Sequence, residues 1–227
     1  PTTPPQAPTR PKVRPESVRG GYALRRQIAA LGYQETINYS FVQEQWEHTL
    51  AGNPNPIRLL NPIASQMSVM RSTLLGNLLQ VVKFNTDRKA TRVRVFEVGR
   101  VFRKDASVKG SDVTVEGFDQ PMHVAGMAYG PAQPLQWSTK DQAVDFFDVK
   151  GDLERVLDPL QLVTQAATHP ALHPGRSASI HLQTAGGLIG IGWIGELHPA
   201  LQQAYELPQA PILFELDCCL VKKDQSG

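Results

Sequence analysis

The sequence predicts an α+β fold, a mainly antiparallel sheet flanked by helices. Three observations carry this. Period-two alternation recurs in segments that follow one another like hairpins, with helical patterns interspersed. The second half of residues 70–105 alternates as a long strand directly after an apolar helical pattern. Hydrophobic residues make up 41% of 227 positions and charged residues 19%, enough to bury a sizeable core. A doubly wound parallel sheet would call for a regular strand–helix repeat instead.

The N-terminal third is read as follows. Residues 1–15 (PTTPPQAPTRPKVRP) form an extended linker from an upstream domain, since proline fixes φ and lacks a donor. Glu16 or Ser17 opens a helix to about Leu31, where Leu24, Ile28 and Leu31 form an apolar stripe and Gly32 is a natural stop. Residues 34–42 alternate as a strand, with Ile37, Tyr39 and Phe41 on one face and Thr36, Asn38 and Ser40 on the other. That polar face implies a cleft, water or a partner. A short helix over 43–50 and a short strand over 57–60, stopped by Asn61-Pro62, come next.

Residues 70–105 (MRSTLLGNLLQVVKFNTDRKATRVRVFEVGRVFRKD) are the most structured stretch. Ser72 is the expected N-cap of their helix. Leu74, Leu75, Leu78, Leu79, Val81 and Val82 cover more than half its circumference, so it should be buried on two sides. Gly76 costs about 1 kcal/mol relative to alanine, which a close-packed neighbour would explain. After the turn-like NTDRK, the strand sets Phe96, Val98 and Phe102 on one side and Val93, Val95 and Val101 on the other.

Residues 106–120 read as a loop or loose hairpin around 113–115, 123–129 as a strand and 131–134 as a turn. Residues 145–157 (DFFDVKGDLERVL) are an amphipathic helix with Phe146, Val149, Leu153, Val156 and Leu157 inward. Strands follow over 162–168, 178–183 and 188–194, the last two joined by the hairpin signal Thr184-Ala-Gly-Gly187. A short helix over 198–205 has Pro199 in its first turn, and 211–218 is a closing strand. The expected organisation is a linker over 1–15, a core domain over 16–220 and a C-terminal tail or linker over 221–227.

Composition narrows the function classes. No run of about 18 apolar residues is present to span a membrane, and the N-terminus lacks a signal-peptide plan. The chain begins without an initiator Met and is read as a piece of something longer. Cys218 and Cys219 are adjacent, an arrangement that disfavours an unstrained bridge and favours a reducing compartment. Net charge is +2, far from that of a dedicated nucleic-acid binder. The basic residues are uneven, clustering at Arg10 to Arg26 and Lys83 to Lys104, either as a phosphate-facing patch or as a solvated face.

The loop His169-Pro-Ala-Leu-His-Pro-Gly-Arg176 spaces two histidines by four. Prolines follow both, so a regular metal-binding helix is disfavoured, and a turn into a strand with Arg176 anchored on backbone or carboxylate is expected. The glycines of residues 186–195 alternate like a strand, which excludes a phosphate-cradling turn. They are expected to allow close packing or bends. No GxSxG elbow or reactive cysteine motif occurs.

Three landmarks resemble the class II aminoacyl-tRNA synthetase core. The helix ending at Leu31-Gly-Tyr33 before a strand is similar to its first motif, without the usual proline. The helix–strand unit ending Phe102-Arg103-Lys104-Asp105 is similar to the second, with Asp105 where glutamate is usual. The strand into Gly195-Glu196-Leu197-His198 is similar to the third, with Leu197 where the superfamily has an ATP-binding arginine. FEVGRVF (96–102), DFFDVKGDLE (145–154), HPGRSA (173–178) and IGELHP (194–199) together resemble the catalytic-like core of the bacterial phenylalanyl-tRNA synthetase beta subunit, over about residues 16–220.

That resemblance implies a class II synthetase-like core that is a degenerate copy of the catalytic alpha subunit. No catalytic, cofactor-binding or metal-binding residue is then expected in this chain, and Arg103 is a structural or surface arginine. ATP and Mg²⁺ belong to the holoenzyme through the alpha subunit. The implied partners are alpha, in an (αβ)₂ assembly, and tRNA(Phe), in the cytoplasm and without a membrane. Arg19, Tyr22 and Arg26, opposite the Leu24/Ile28/Leu31 stripe, are the candidate interface residues. Two other readings stand beside this one: a stand-alone adenylate-forming paralogue, and a nucleic-acid-binding module whose affinity would fall steeply with salt.

Overall fold

The computed structural model describes residues 21–112, 114–137, 142–184 and 186–218. The expected linker over 1–15 and tail over 221–227 lie outside them. In chain order the elements are α1 (Gly21–Ala30), β1 (Gln34–Glu35), β2 (Phe41–Val42) and α2 (Glu44–Trp46), which continues as a π-helical turn, Glu47–Ala51. Then come β3 (Ile57–Arg58), a 3₁₀ turn (Ser65–Met67), β4 (Val69–Met70), α3 (Leu75–Asp87), β5 (Val93–Arg100), β6 (Arg103–Lys104), β7 (Phe118–Asp119) and β8 (Met122–Tyr129). The last third contains α4 (Phe146–Leu157), β9 (Gln161–Ala166), β10 (Leu172–Thr184), β11 (Gly187–Leu197), α5 (Pro199–Ala204) and β12 (Ile212–Asp217).

Seven strands form one sheet in the order β1-β5-β8-β12-β11-β10-β9. Every neighbouring pair is antiparallel except β1 with β5. The predicted α+β class, a mainly antiparallel sheet with flanking helices, is what the chain adopts. Strand alternation divides the core into two layers. Phe96, Val124, Phe214, Ile194 and Ile180 face α1 and α4 on one side. Val93, Val95, Met127 and Leu213 face α3 on the other, together with Leu74, Leu75, Leu78, Leu79 and Val82 from α3 and its approach.

Local signals account for most boundaries. α1 stops at Gly32, whose φ of 87° is the left-handed region glycine tolerates. α4 is opened by Asp145, which accepts from Phe147 N and Asp148 N, while Asp148 bonds back to the Asp145 amide. The 184–187 hairpin is present, with Thr184 paired to Gly187. A Cβ on Gly76 would overlap the Trp46 ring, so the expected close neighbour is the turn of helix packed across α3. At Gly192 a Cβ would overlap the Glu215 carbonyl of β12.

Three expectations need correction. Residues 34–42 are not one strand: β1 joins the large sheet and β2 a separate small one, β2-β4-β3. Between them Thr36 and Asn38 turn inward while Ile37 and Tyr39 stand in solvent, because the inward positions meet polar partners described below. Ser72 is not the N-cap of α3. Leu74 holds that position without a side-chain cap, and the Thr73 hydroxyl accepts from Leu75 N at 3.2 Å. The long strand ends at Arg100, and Arg103–Lys104 pairs instead with Phe118–Asp119 as a ribbon of its own.

Candidate functional site

The three residues before α3, Arg71-Ser72-Thr73, each engage a buried carboxylate from a different element. Arg71 Nη1 lies 2.8 Å from Glu97 Oε1 on β5, with both side chains almost fully buried. Its guanidinium also donates to the Arg100 carbonyl and Asn77 Oδ1. Ser72 gives both its amide (2.9 Å) and its hydroxyl (2.5 Å) to Glu47. Thr73 gives its hydroxyl to Glu215 on β12 at 2.5 Å, and the other Glu215 oxygen meets His123 Nδ1 at 2.7 Å. Buried charges persist only when paired and hydrogen-bonded. These acids are therefore structural clamps, each already committed to protein partners.

The clamp forms the floor of a cleft of about 430 Å³, bordered by Ser72, Thr73, Glu215, Arg103, Lys104, His169 and Trp193. Lys104 Nζ donates to Asn55 Oδ1 at 2.6 Å, while Arg103 is exposed. The His169 ring stacks on Trp193 with centroids 4.1 Å apart. Burial pulls the His169 pKa down to about 4, against a weaker upward pull from Glu215, so the ring is neutral at pH 7. Leu197, at the position of the third-motif arginine, is only 1% exposed and packs in the layer with Leu74 and Leu172. The cleft thus has cations at one rim, and Leu197 is not among the residues that border it.

No group of three or more histidine, cysteine or acidic side chains positioned to hold a metal occurs among the described residues. His169 and His173 do not converge. The His169 ring Nδ1 accepts from Ala171 N and that of His173 from Gly175 N. Arg176 is anchored as expected on a carboxylate, with Nη1 donating to both oxygens of Glu196 at 2.9 and 2.7 Å. Of the residues bordering the cleft, Glu215 is already engaged by Thr73 and His123.

The basic run from Lys83 to Lys104 disperses over several surfaces. Lys83 reaches Asp87 at 2.6 Å. Arg94 is buried against Tyr33, the Ala132 carbonyl and Asp152. Burial, then the nearby Asp152 charge, pushes the Tyr33 hydroxyl pKa well above its usual value. Arg88 stacks on Phe84, and Arg100 donates to the Gln120 carbonyl. No single phosphate-facing stripe results. Cys218 is buried, and Cys219 lies outside the described residues.

Of the candidate interface residues, Tyr22 and Arg26 are exposed on α1, and Arg19 lies outside the described residues. A larger apolar surface stands elsewhere. Ile37 is 94% exposed and Tyr39 66%, while Thr36 Oγ1 donates to the Phe96 carbonyl and Asn38 Nδ2 to Glu97 Oε2 at 2.7 Å. The segment between β1 and β2 thus turns polar side chains in and apolar side chains out. Tyr39, Met67 and Phe84 border one groove across α3, and Leu60 (97% exposed) and Ile63 (77%) project from the neighbouring loop. The alternation of residues 36–40 was visible in the sequence. Which face turns inward was not, because it depends on Glu97, some sixty residues away.

Comparison with known proteins places this geometry. The family described as "Phenylalanyl tRNA synthetase beta chain CLM domain" matches residues 1–218. The phenylalanine–tRNA ligase beta subunit of Burkholderia pseudomallei is 52% identical over 217 residues, covering 96% of this chain and 26% of that protein. That of Ralstonia nicotianae is 53% identical over 217 residues, with the same two shares. That of Bordetella bronchiseptica is 48% identical over 221 residues, covering 96% of this chain and 27% of that protein. The chain spans about a quarter of the length of these relatives. In fold it is similar to the pyrrolysyl-tRNA synthetase of Desulfitobacterium hafniense, with a TM-score of 0.61 at 12% identity over 88% of this chain and 65% of that one.

Proposed function

The chain belongs to the phenylalanyl-tRNA synthetase beta chain family, in its CLM domain, and we propose that it is a non-catalytic core module that supports assembly with a catalytic alpha subunit. In that reading the holoenzyme charges tRNA(Phe) with phenylalanine in the cytoplasm. ATP and Mg²⁺ are handled by alpha, and the assembly is (αβ)₂.

One observation carries the assembly role, the inverted segment 36–39. A soluble surface rarely presents contiguous large apolar side chains unless a partner covers them. Here Ile37 and Tyr39 are held outward by Thr36 and Asn38, whose inward hydrogen bonds fix the orientation. Tyr22 and Arg26 stand on the exposed face of α1, and we take the two surfaces together as the docking area.

The absence of chemistry rests on Leu197. Adenylate formation needs preorganised cations where charge develops on the transferring phosphate, and a buried leucine in the layer of Leu172 and Leu74 supplies none. ATP–pyrophosphate exchange tests this half. With phenylalanine present, the chain alone should give no exchange above background, and adding the cognate alpha subunit should restore it. Exchange by the chain alone, lost on Arg103→Ala, would instead favour the adenylate-forming paralogue.

A further inference from the structure

Among the described residues, the seven-stranded sheet has two free edges that are finished differently. At one, β1 is two residues long and carries Glu35, paired to Arg25 at 2.6 Å. Short length and charge are common protections against edge-to-edge pairing. At the other, β9 runs for six residues, and from Leu160 to Thr168 the chain has no charge, proline or glycine. Its register with β10 is continuous, without a bulge.

The phase of this edge can be read from one hydrogen bond. The Ala167 amide donates to the Ser177 carbonyl at 3.4 Å. In an antiparallel pair, bonded and non-bonded residues alternate, so Leu162, Thr164 and Ala166 turn their main-chain N–H and C=O groups outward. Their side chains share the face of Leu182, Ile180 and Ala178, the face covered by α4. Beside Thr164 and Ala166 opens a cavity of about 700 Å³, walled by Phe146 and the exposed Phe147.

We propose that this edge pairs with the same edge of a second copy of the chain. With the strands antiparallel about a two-fold axis at Thr164, each Thr164 faces its counterpart and Leu162 of each copy faces Ala166 of the other. The outward main-chain groups then satisfy one another, and the pairing is self-complementary, as a two-fold interface requires. Leu162 stands on the face where the cavity of the other copy opens, so each copy supplies an apolar side chain to that cavity. A strand free of charge sets no like charges opposite each other, which would destabilise such a pair. A second copy therefore meets every requirement of the edge. This surface is separate from the Ile37/Tyr39 face.

Sedimentation analysis over a range of concentrations tests the pairing, on the chain alone and in complex with the cognate alpha subunit. The expected result is a monomer–dimer equilibrium of the chain whose dissociation constant rises at least about tenfold in Thr164→Lys, since a charged edge disfavours pairing. Circular dichroism checks that the variant is folded. Thr164→Cys gives a second readout. Directly opposite residues of a bonded pair have Cα atoms about 5.5 Å apart, within disulfide range, so mild oxidation should yield a linked dimer that the parent chain does not form. A monomer at every concentration with no linked Thr164→Cys dimer overturns the proposal. So does a dimer unaffected by Thr164→Lys but dissolved by Ile37→Asp with Tyr39→Asp.

Discussion

At the scale of single residues, the Arg71-Ser72-Thr73 tripeptide does the most to specify the fold. Its side chains reach Glu97, Glu47 and Glu215, which come from β5, the π-helical turn and β12. Removing one partner of a buried pair leaves an uncompensated charge. Arg71→Met should therefore cost about 3–5 kcal/mol in urea unfolding, and the double replacement Arg71→Met with Glu97→Leu much less. Equal losses in the two variants would mean that the pair is not the source. His169 gives a pH dependence. Its folded pKa of about 4 lies below the ordinary 6.5, so the unfolded state binds the extra proton first. Stability from the neutral ring is full above about pH 6.5, falls as pH drops through that window and is lost by about pH 4. Thermal unfolding midpoints measured from pH 7.5 to 4.5 should decline less steeply in His169→Phe than in the parent.

At the scale of elements, α3 is held by the fit of Gly76 against Trp46. Alanine is the better helix former by about 1 kcal/mol, yet Gly76→Ala should destabilise by about 1–3 kcal/mol, because its Cβ enters the ring. Adding Trp46→Leu should recover part of the loss, as measured by thermal or urea unfolding. Much at this scale was legible in the sequence. The apolar stripe of α3, the amphipathic pattern of α4, the 184–187 hairpin and the two faces of β5 follow from local periodicity and turn chemistry. What was not legible depends on distant partners. Ser72 looks like an N-cap by position, but Glu47 takes its hydroxyl. Residues 34–42 look like one strand, but Asn38 bends inward to Glu97. The carboxylate clamp left no local signal, since its members are about 25 to 140 residues apart in the chain.

At the scale of the whole molecule, a synthetase-like sheet with two apolar layers supports a cleft with Arg103 and Lys104 at its rim and, elsewhere, exposed apolar side chains. The order of the synthetase-like segments was visible in the sequence, but Leu197, singled out there, lies in the buried layer and not on the cleft. The exposed apolar side chains were only partly visible. Tyr22 and Arg26 lie on the exposed side of α1, whereas the exposure of Ile37, Tyr39, Leu60 and Ile63 was not read from the sequence. The most direct measurement is native mass analysis of the chain co-purified with its cognate alpha subunit, beside the double variant Ile37→Asp, Tyr39→Asp. Assembly predicts a stoichiometric complex for the parent and its loss in the folded variant. A parent chain that never joins alpha, or a variant that joins it equally well, would contradict the account.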